Sequence, residues 1–161
     1  MKIKTGIGQD SHRFDFDNIE NKLILGGVIF EGAPPLHGNS DADVVLHSIT
    51  NAISGVTGKN ILGDVADRMC FQDGIKDSKE YLKVALKDLN SCKISNVSIS
   101  IECQKPQISP KIDEMKKRIA EMLKIDKQDA GITATSGEGL TEFGKGNGIR
   151  VISIVTVIDE E

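Results

Sequence analysis

The chain has 161 residues, of which 39% are hydrophobic, 27% are charged and 4% are aromatic, and its formal net charge is −4. A chain of this length buries roughly 70% of its unfolded surface, so we expect one domain over residues 1–161. The composition excludes collagen-like, disulfide-rich and disordered chains, and the lack of a basic excess argues against a nucleic-acid partner.

The cysteines predict a reducing compartment. Cys70, Cys92 and Cys103 are widely spaced and form no C-x-x-C pair, so neither a disulfide framework nor a cysteine-rich zinc site is expected. The N-terminus has no apolar signal segment, and nowhere do 18 apolar residues run together, which argues against a membrane span or membrane partner. We therefore expect a cytoplasmic protein.

The chain begins with patterns typical of strands. Residues 3–10 predict a first strand, and Leu23–Leu25 and Val28–Phe30 predict a hairpin. The intervening Gly26-Gly27 pair supplies the positive φ angles of a two-residue turn. A Gly- and Pro-rich loop is expected over residues 31–39.

The next segment predicts a helix with a defined start. Ser40 and Asp43 form an S-x-x-D signal ahead of an apolar-periodic run to Val56, which indicates a helix that begins near Ser40. Residues 57–75 show little periodicity and are predicted to form a long mobile loop.

The second half continues the alternation of helices and strands. In order, the predicted elements are a helix from Asp77 to Leu89, a strand over 97–103, a helix with Ser109 as N-cap and Pro110 at its first position, a strand over 131–135, a Gly-rich loop over 136–148 and a strand over 149–158. The last strand is apolar on both faces, which suggests that one face meets another subunit.

Three residues in this pattern are candidate metal ligands. Asp10 and His12 flank Ser11 at the end of the first strand, and their spacing of two places both side chains on one side of the backbone. His47 falls on the helix stripe opposite the apolar one. One carboxylate and two imidazoles suit a catalytic zinc with an open position, and the same set also suits a non-heme iron.

Two acidic residues are candidates for orienting the helix ligand. Asp41 and Asp43 both lie shortly before His47, where a carboxylate could hold the second ring nitrogen of a metal-bound histidine. Asp43 has a second interpretation as a charge at the helix start.

A second constellation lies in the Gly-rich loop. Thr135, Ser136, Gly137 and Glu138 are followed by Lys145, so hydroxyls, backbone N–H groups and one cation can approach phosphate oxygens. Glu138 adds an oxygen ligand of the kind that Mg²⁺ takes beside a phosphate. The loop lacks a Walker pattern or a dinucleotide fingerprint.

The motifs together resemble a known family. G-x-D-x-H ends at His12, S-D-A-D-V-x-L-H ends at His47, G-D lies at Gly63-Asp64, D-S at Asp77-Ser78, K-P at Lys105-Pro106 and A-T-x-x-E ends at Glu138. In this order along essentially the whole chain, they resemble the 2-C-methyl-D-erythritol 2,4-cyclodiphosphate synthases.

The resemblance implies a fold and a reaction. The fold would be α/β (α+β), a mixed sheet backed by helices on one face, assembled as a homotrimer around the sheets with active sites between subunits. The reaction converts 4-diphosphocytidyl-2-C-methyl-D-erythritol 2-phosphate to the cyclic diphosphate and CMP, because the 2-phosphate attacks the β-phosphorus. Zn²⁺ would be held by Asp10, His12 and His47, and Mg²⁺ or Mn²⁺ by Glu138 with the substrate diphosphate.

The resemblance also implies the substrate contacts. Asp10, His12 and His47, here called the metal trio, would line the site with Ser11, Ser40 and Lys145. The segment that covers the erythritol would supply Asp64, Val65, Ala66, Phe71 and Asp73, and a neighbouring subunit would supply the cytosine-binding turn of Gln104, Lys105 and Pro106. The phosphates would contact Thr135, Ser136, Gly137 and Glu138.

The chain departs from the family pattern at several positions. Asn39 replaces the usual histidine before S-D, and His37 lies two residues earlier, so either residue could polarise the phosphate. Ser136 replaces a threonine and keeps its hydroxyl; we expect Asn39 and Ser136 to be the catalytic side chains. Lys145 replaces an arginine and loses bidentate reach, and the loop after Phe71 is shorter than usual.

Two alternative functions remain compatible with these residues. The metal trio could serve a phosphodiesterase or phosphatase that uses metal-bound water. Asn39 and the shortened loop also leave room for a non-catalytic trimeric ligand-binding module.

Overall fold

The structure is a computed structural model that describes residues 1–160. Its strands are β1 (Lys2–Arg13), β2 (Leu23–Leu25), β3 (Val28–Phe30), β4 (Lys93–Glu102), β5 (Ala130–Thr135) and β6 (Gly148–Asp159). Its α-helices are α1 (Val44–Thr57), α2 (Asp64–Phe71), α3 (Ser78–Lys87) and α4 (Ile112–Leu123). None of the helices within residues 1–160 has the length and apolar character needed to cross a bilayer.

The main sheet is mixed, as the sequence predicts. Its strand order is β1-β6-β4-β5. β6 pairs antiparallel with β1 and β4, while β4 and β5 are parallel. Alternate residues of β1, β4 and β6 are buried on one face of the sheet, where the helices and the apolar core lie.

The opposite face of the sheet is open in the single chain. Ile3 and Ile7 of β1 are 60% and 67% exposed, and Ile154 of β6 is 41% exposed. Within one chain β6 therefore follows the alternation of a half-covered sheet, and the expectation that its second face meets another subunit stays a prediction. Apolar side chains on the outer face of β6, such as Ile154, are exposed to solvent in the single chain.

The β2–β3 hairpin confirms the glycine-pair turn and is anchored by the start of α1. Gly26 and Gly27 have φ angles of 59° and 75°, and their N–H groups donate to the two carboxylate oxygens of Asp43 at 2.8 Å. Asp43 also accepts from the Leu46 N–H at 3.1 Å as the N-cap, so the helix begins at Val44 and not at Ser40. Burial raises the pKa of Asp43 to about 6, against the three amide donors.

Two local predictions are corrected. The segment 57–75 is not wholly a loop, because α2 forms within it and buries Ala66 and Cys70 at a spacing of four. Eight residues with three charged side chains give too weak a period to be recognised. Ser109 is not an N-cap, because it lies inside a short 3-10 turn that precedes α4.

Two glycines of β1 allow α1 to lie directly on the strand. A Cβ on Gly6 would be 2.0 Å from the Ala52 carbonyl oxygen, and a Cβ on Gly8 would be 2.1 Å from the Ser48 carbonyl oxygen. Atoms cannot approach so closely, so both positions require glycine unless the helix moves. The continuation of this strand face carries Asp10 and His12.

This packing generates a stability prediction. We expect Gly8→Ala to lower the free energy of unfolding by about 1–3 kcal/mol or more, because the added methyl group overpacks the strand–helix contact. Gly131→Ala is the matched control, since its Cβ would meet nothing nearer than 3.8 Å in another strand of the sheet. Urea unfolding at one protein concentration measures the free energy of unfolding of both variants and of the parent. Equal stability of Gly8→Ala and the parent would contradict the close contact.

Candidate metal and phosphate site

β1 places two of the candidate ligands on one face. The strand runs to Arg13, so Asp10 and His12 are paired strand residues, opposite Val151 and Ile149 of β6. Both side chains project from the helix-covered face and remain partly exposed, at 25% and 21%. The regular alternation of the strand therefore fixes their direction.

Helix α1 brings the third candidate to them. The His47 Nδ1 and the His12 Nε2 each lie 3.0 Å from Asp10 Oδ2, and the two nitrogens are 3.3 Å apart. The His47 side chain is only 9% exposed, because the stripe of α1 that carries it is also buried. The three predicted ligands thus converge, with all ligand atoms within 4.8 Å of one another.

Electrostatics keep the carboxylate of this cluster charged. Burial raises the pKa of Asp10, but hydrogen bonds and charges from His12 and His47 outweigh it and lower the pKa to about 2. Burial lowers the pKa of His12, while Asp10 and the His37 carbonyl raise it, and the net shift is upward. An anionic oxygen beside two imidazoles favours a bound cation.

The outer nitrogens of both rings have defined partners. His12 Nδ1 lies 2.8 Å from the His37 carbonyl oxygen. A carbonyl accepts and cannot donate, so Nδ1 carries a proton, and Nε2 is the nitrogen that could bind a metal ion in the neutral ring. His47 Nε2 lies 2.8 Å from the Ser78 hydroxyl. These contacts orient both rings towards Asp10.

The donor set fits a metal ion with an open position. Two imidazole nitrogens and one carboxylate oxygen converge from two elements, and three protein ligands are typical of catalytic zinc. The partial exposure of Asp10 and His12 leaves the cluster accessible to a ligand. The same donors also suit other first-row metals.

The loop before α1 lies beside the cluster. The side chains of His37 and Asn39 are exposed, and Ser40 is half-buried. The Cys70 thiol donates to the Asn39 carbonyl oxygen at 3.2 Å, and the Ser40 hydroxyl accepts from the Ala42 N–H at 3.1 Å. The loop is thereby tied to α2, and the Asn39 side chain is free to meet a ligand.

The predicted covering segment is largely helical. Asp64 and Val65 open α2, and Phe71, at its end, is 67% exposed. Asp73 follows the helix and is also exposed, whereas the Ala66 side chain is buried in the core and its N–H donates to Ile61.

The remaining candidates form a second group at the ends of β4 and β5. Two members of this group, Pro106 and Gly137, are half-buried. The others are exposed: Gln104, Lys105, Thr135, Ser136, Glu138 and Lys145. Backbone hydrogen bonds from Cys103 to Thr135 and from Gln104 to Phe143 join the turn to the Gly-rich loop. The Ser136 hydroxyl accepts from the Glu138 N–H at 3.3 Å, and Lys145 lies 3.2 Å from Glu142.

Side chains that the sequence reasoning missed hold this second group in place. Glu102 accepts from the Thr141 hydroxyl at 2.5 Å and from Arg150 at 3.1 Å. Arg150 also lies over the Phe143 ring, 5.5 Å from its centroid. These partners are 39 and 48 positions from Glu102, and no sequence spacing links them.

The two groups lie at the same end of the sheet, but they follow its two outer strands, β1 and β5. Arg13 of β1 pairs with Gly148, and Glu102 pairs with both Arg150 and Thr135. β1 and β5 are nonetheless separated by β6 and β4, which places them about 14 Å apart at the usual strand spacing. The chain brings Asp10, His12 and His47 together and leaves the Ser136 loop at a distance.

Comparison with known proteins agrees with these features. Relatives named 2-C-methyl-D-erythritol 2,4-cyclodiphosphate synthase from Chlamydia muridarum and Chlamydia felis are each 48% identical over 157 residues, 97% of this chain and 88% and 89% of theirs. An IspF from Plasmodium falciparum in complex with CDP has a TM-score of 0.83 at 27% identity, covering 99% of this chain and 97% of that one.

A bifunctional IspDF from Campylobacter jejuni is also similar, with a TM-score of 0.83 at 31% identity over 97% of this chain and 42% of that chain. Residues 3–158 match the YgbB family. This match and the named relatives confirm the resemblance seen in the motifs, and the chain belongs to the YgbB family of 2-C-methyl-D-erythritol 2,4-cyclodiphosphate synthases.

Proposed function

We propose that the protein is a metal-dependent cyclising phosphorus-oxygen lyase that converts 4-diphosphocytidyl-2-C-methyl-D-erythritol 2-phosphate to 2-C-methyl-D-erythritol 2,4-cyclodiphosphate and CMP. The observation that carries this proposal is the convergence of Asp10, His12 and His47, with ligand atoms within 4.8 Å, in a chain of this family. This reaction belongs to the non-mevalonate pathway of isoprenoid synthesis. The three cysteines of the chain are free, which is typical of proteins in the reducing cytoplasm.

The metal trio supplies one wall of the proposed site. Asp10, His12 and His47 would hold Zn²⁺, which when bound polarises diphosphate oxygens and neutralises their charge. Asn39, exposed at the edge of this wall, would donate its amide N–H to a phosphate oxygen, and nearby His37 is the alternative donor. These residues position the substrate, and no protein nucleophile is required.

The Gly-rich loop supplies the opposite wall. The backbone N–H groups near Gly137 and the hydroxyls of Thr135 and Ser136 would bind the phosphates, and Glu138 would hold Mg²⁺ or Mn²⁺ with the diphosphate. Lys145 would add a cationic contact. The 2-phosphate oxygen then forms the new bond to the β-phosphorus, while the bond to the cytidylyl phosphate breaks and its electron pair leaves on CMP.

Two flanking segments complete substrate binding. Asp64, Val65, Ala66, Phe71 and Asp73 would cover the erythritol, with Ala66 contributing through its carbonyl because its side chain and N–H are engaged internally. Gln104, Lys105 and Pro106 would bind the cytosine; the CDP complex of the Plasmodium falciparum relative supports a cytidine nucleotide as ligand. Ser11 and Ser40 would line the metal wall.

We further propose that the two walls belong to different subunits of a homotrimer. The separation of about 14 Å between β1 and β5 keeps the Ser136 loop from its own metal trio. Ile3, Ile7 and Ile154 form an exposed apolar strip on the outer face of the sheet, which supports packing of the sheets of several copies against one another.

The reaction type is tested by the fate of solvent oxygen. When turnover takes place in H₂¹⁸O, we expect both the cyclic product and CMP to contain no ¹⁸O, because the nucleophile is a substrate phosphate. A phosphodiesterase or phosphatase that uses metal-bound water would incorporate ¹⁸O, and a non-catalytic binding module would release no CMP. Mass spectrometry of both products distinguishes the three functions.

The metal assignment is tested at Asp10. We expect Asp10→Asn to lose most of its bound zinc and to lower turnover by at least about a hundredfold, since loss of a partner to a ligand alone costs 10–100-fold. Asp113→Asn, in the exposed first turn of α4, is the control and should keep both the parental zinc content and the parental turnover. Metal content by mass spectrometry and CMP release give the two readouts. Full zinc binding by Asp10→Asn would contradict the assignment.

The shared site is tested by mixing two inactive variants. Chains with His47→Ala lack the metal wall, and chains with Ser136→Ala and Glu138→Ala lack the phosphate wall. In trimers assembled from equal amounts of both, about one site in four combines two intact walls. Purification through both tags removes the inactive homotrimers, and each mixed trimer keeps one complete site of three, so we expect activity near a third of the parent value in doubly tagged, co-purified trimers. Mixed trimers without activity, or a fully active monomer, would contradict the proposal.

A further inference from the structure

Ser78 occupies a buried position behind the helix ligand of the metal trio. It is the first residue of α3 and is 0% exposed. Its hydroxyl oxygen lies 2.8 Å from His47 Nε2, while Nδ1 of the same ring faces Asp10 at 3.0 Å. The N-cap of α3 is the neighbouring Asp77. The Ser78 hydroxyl is therefore free from capping and directed at the ligand ring.

The hydroxyl proton of Ser78 is directed at Asp41. Ser78 Oγ donates to Asp41 Oδ1, and the Ser78 N–H donates to Asp41 Oδ2 at 3.2 Å. The carboxylate is itself held by the Asp43 N–H at 3.1 Å. A hydroxyl has one proton, so once it is given to Asp41 the Ser78 oxygen offers His47 a lone pair.

We infer that Ser78 and Asp41 set the tautomer of His47 and thereby determine its competence as a metal ligand. The ring must place its proton on Nε2 to donate to Ser78, which leaves the Nδ1 lone pair directed at Asp10 and His12. The two residues are positioning residues, since they act through His47. The inference rests on the proposed metal site, because a bound cation is what places the Nδ1 lone pair beside the Asp10 carboxylate favourably.

The two imidazoles of the site are fixed by different means. The His12 proton is held by the backbone carbonyl of His37, which no substitution removes. The His47 proton depends on a side-chain pair that joins the α1 start to the α3 start. His47 is therefore the ligand whose protonation can be reversed by isosteric substitution.

Asp41→Asn tests the acceptor role of the carboxylate. An amide cannot accept from the Ser78 hydroxyl, the Ser78 N–H and the Asp43 N–H together, because its nitrogen would face one of the two N–H groups at either oxygen position. The Ser78 hydroxyl is then held less firmly, its proton can turn to His47 Nε2, and the ring proton moves to Nδ1, where it blocks the metal. We expect Asp41→Asn and Ser78→Ala each to weaken zinc binding by about 10–100-fold. In the Ser78→Ala background, Asp41→Asn should cause little further loss, since the link to His47 is already broken.

The nitrogen that binds the metal is read directly by ¹⁵N NMR of the zinc-loaded protein. Only His12, His37 and His47 contribute histidine signals. We expect His47 to bind through Nδ1 with its proton on Nε2 towards Ser78, and His12 to bind through Nε2 with its proton on Nδ1 towards His37. Binding of His47 through Nε2 would overturn the inference.

Zinc affinity is measured by chelator competition, which requires no turnover. Ser48→Ala is the matched control, because Ser48 is a buried serine beside His47 whose hydroxyl contacts Val45 and Ser153. It should keep parental zinc affinity even if its stability falls. Unchanged affinity in folded Ser78→Ala and Asp41→Asn would overturn the inference. Failure of the parent to bind zinc would instead contradict the proposed function.

Discussion

The candidate site depends on the direct contact between the backbone of α1 and the glycines of β1. The carbonyl oxygens of Ala52 and Ser48 lie where side chains at Gly6 and Gly8 would begin. Asp10 continues the same strand face, and His47 directly precedes the helix residue that covers Gly8. Because the ligand atoms must converge within hydrogen-bonding distance, any outward shift of α1 would separate His47 from the strand ligands. The glycines therefore set the ligand geometry although they contact no ligand.

The segment before α1 orients the two histidine rings and caps the start of the helix. The His37 carbonyl fixes the His12 ring, Asp41 reaches the His47 ring through a buried hydroxyl, and Asp43 caps the helix and holds the hairpin turn. One short loop thus controls both imidazoles and the helix start. A disturbance there would change metal binding and local folding together, because the same residues serve both.

Much of the fold could be predicted because its signals are local. The alternation of β4 and β6 and the glycine pair of the hairpin are each encoded in a few adjacent residues. Helix α2 was missed because its period is carried by Ala66 and Cys70 among charged residues. The metal trio could be predicted from residue types and spacing. The link from His47 to Ser78 could not, since it joins residues 31 positions apart by tertiary packing.

The strand order explains why so small a chain would need copies of itself. β6, the last strand, lies between β1 and β4, so Asp10 and His12 on β1 and the loop after β5 belong to opposite edge strands at the same end of the sheet. The same strand order places Ile154 beside Ile7 on the uncovered face. The topology that divides the site thus also supplies the apolar surface on which a neighbouring copy could restore it.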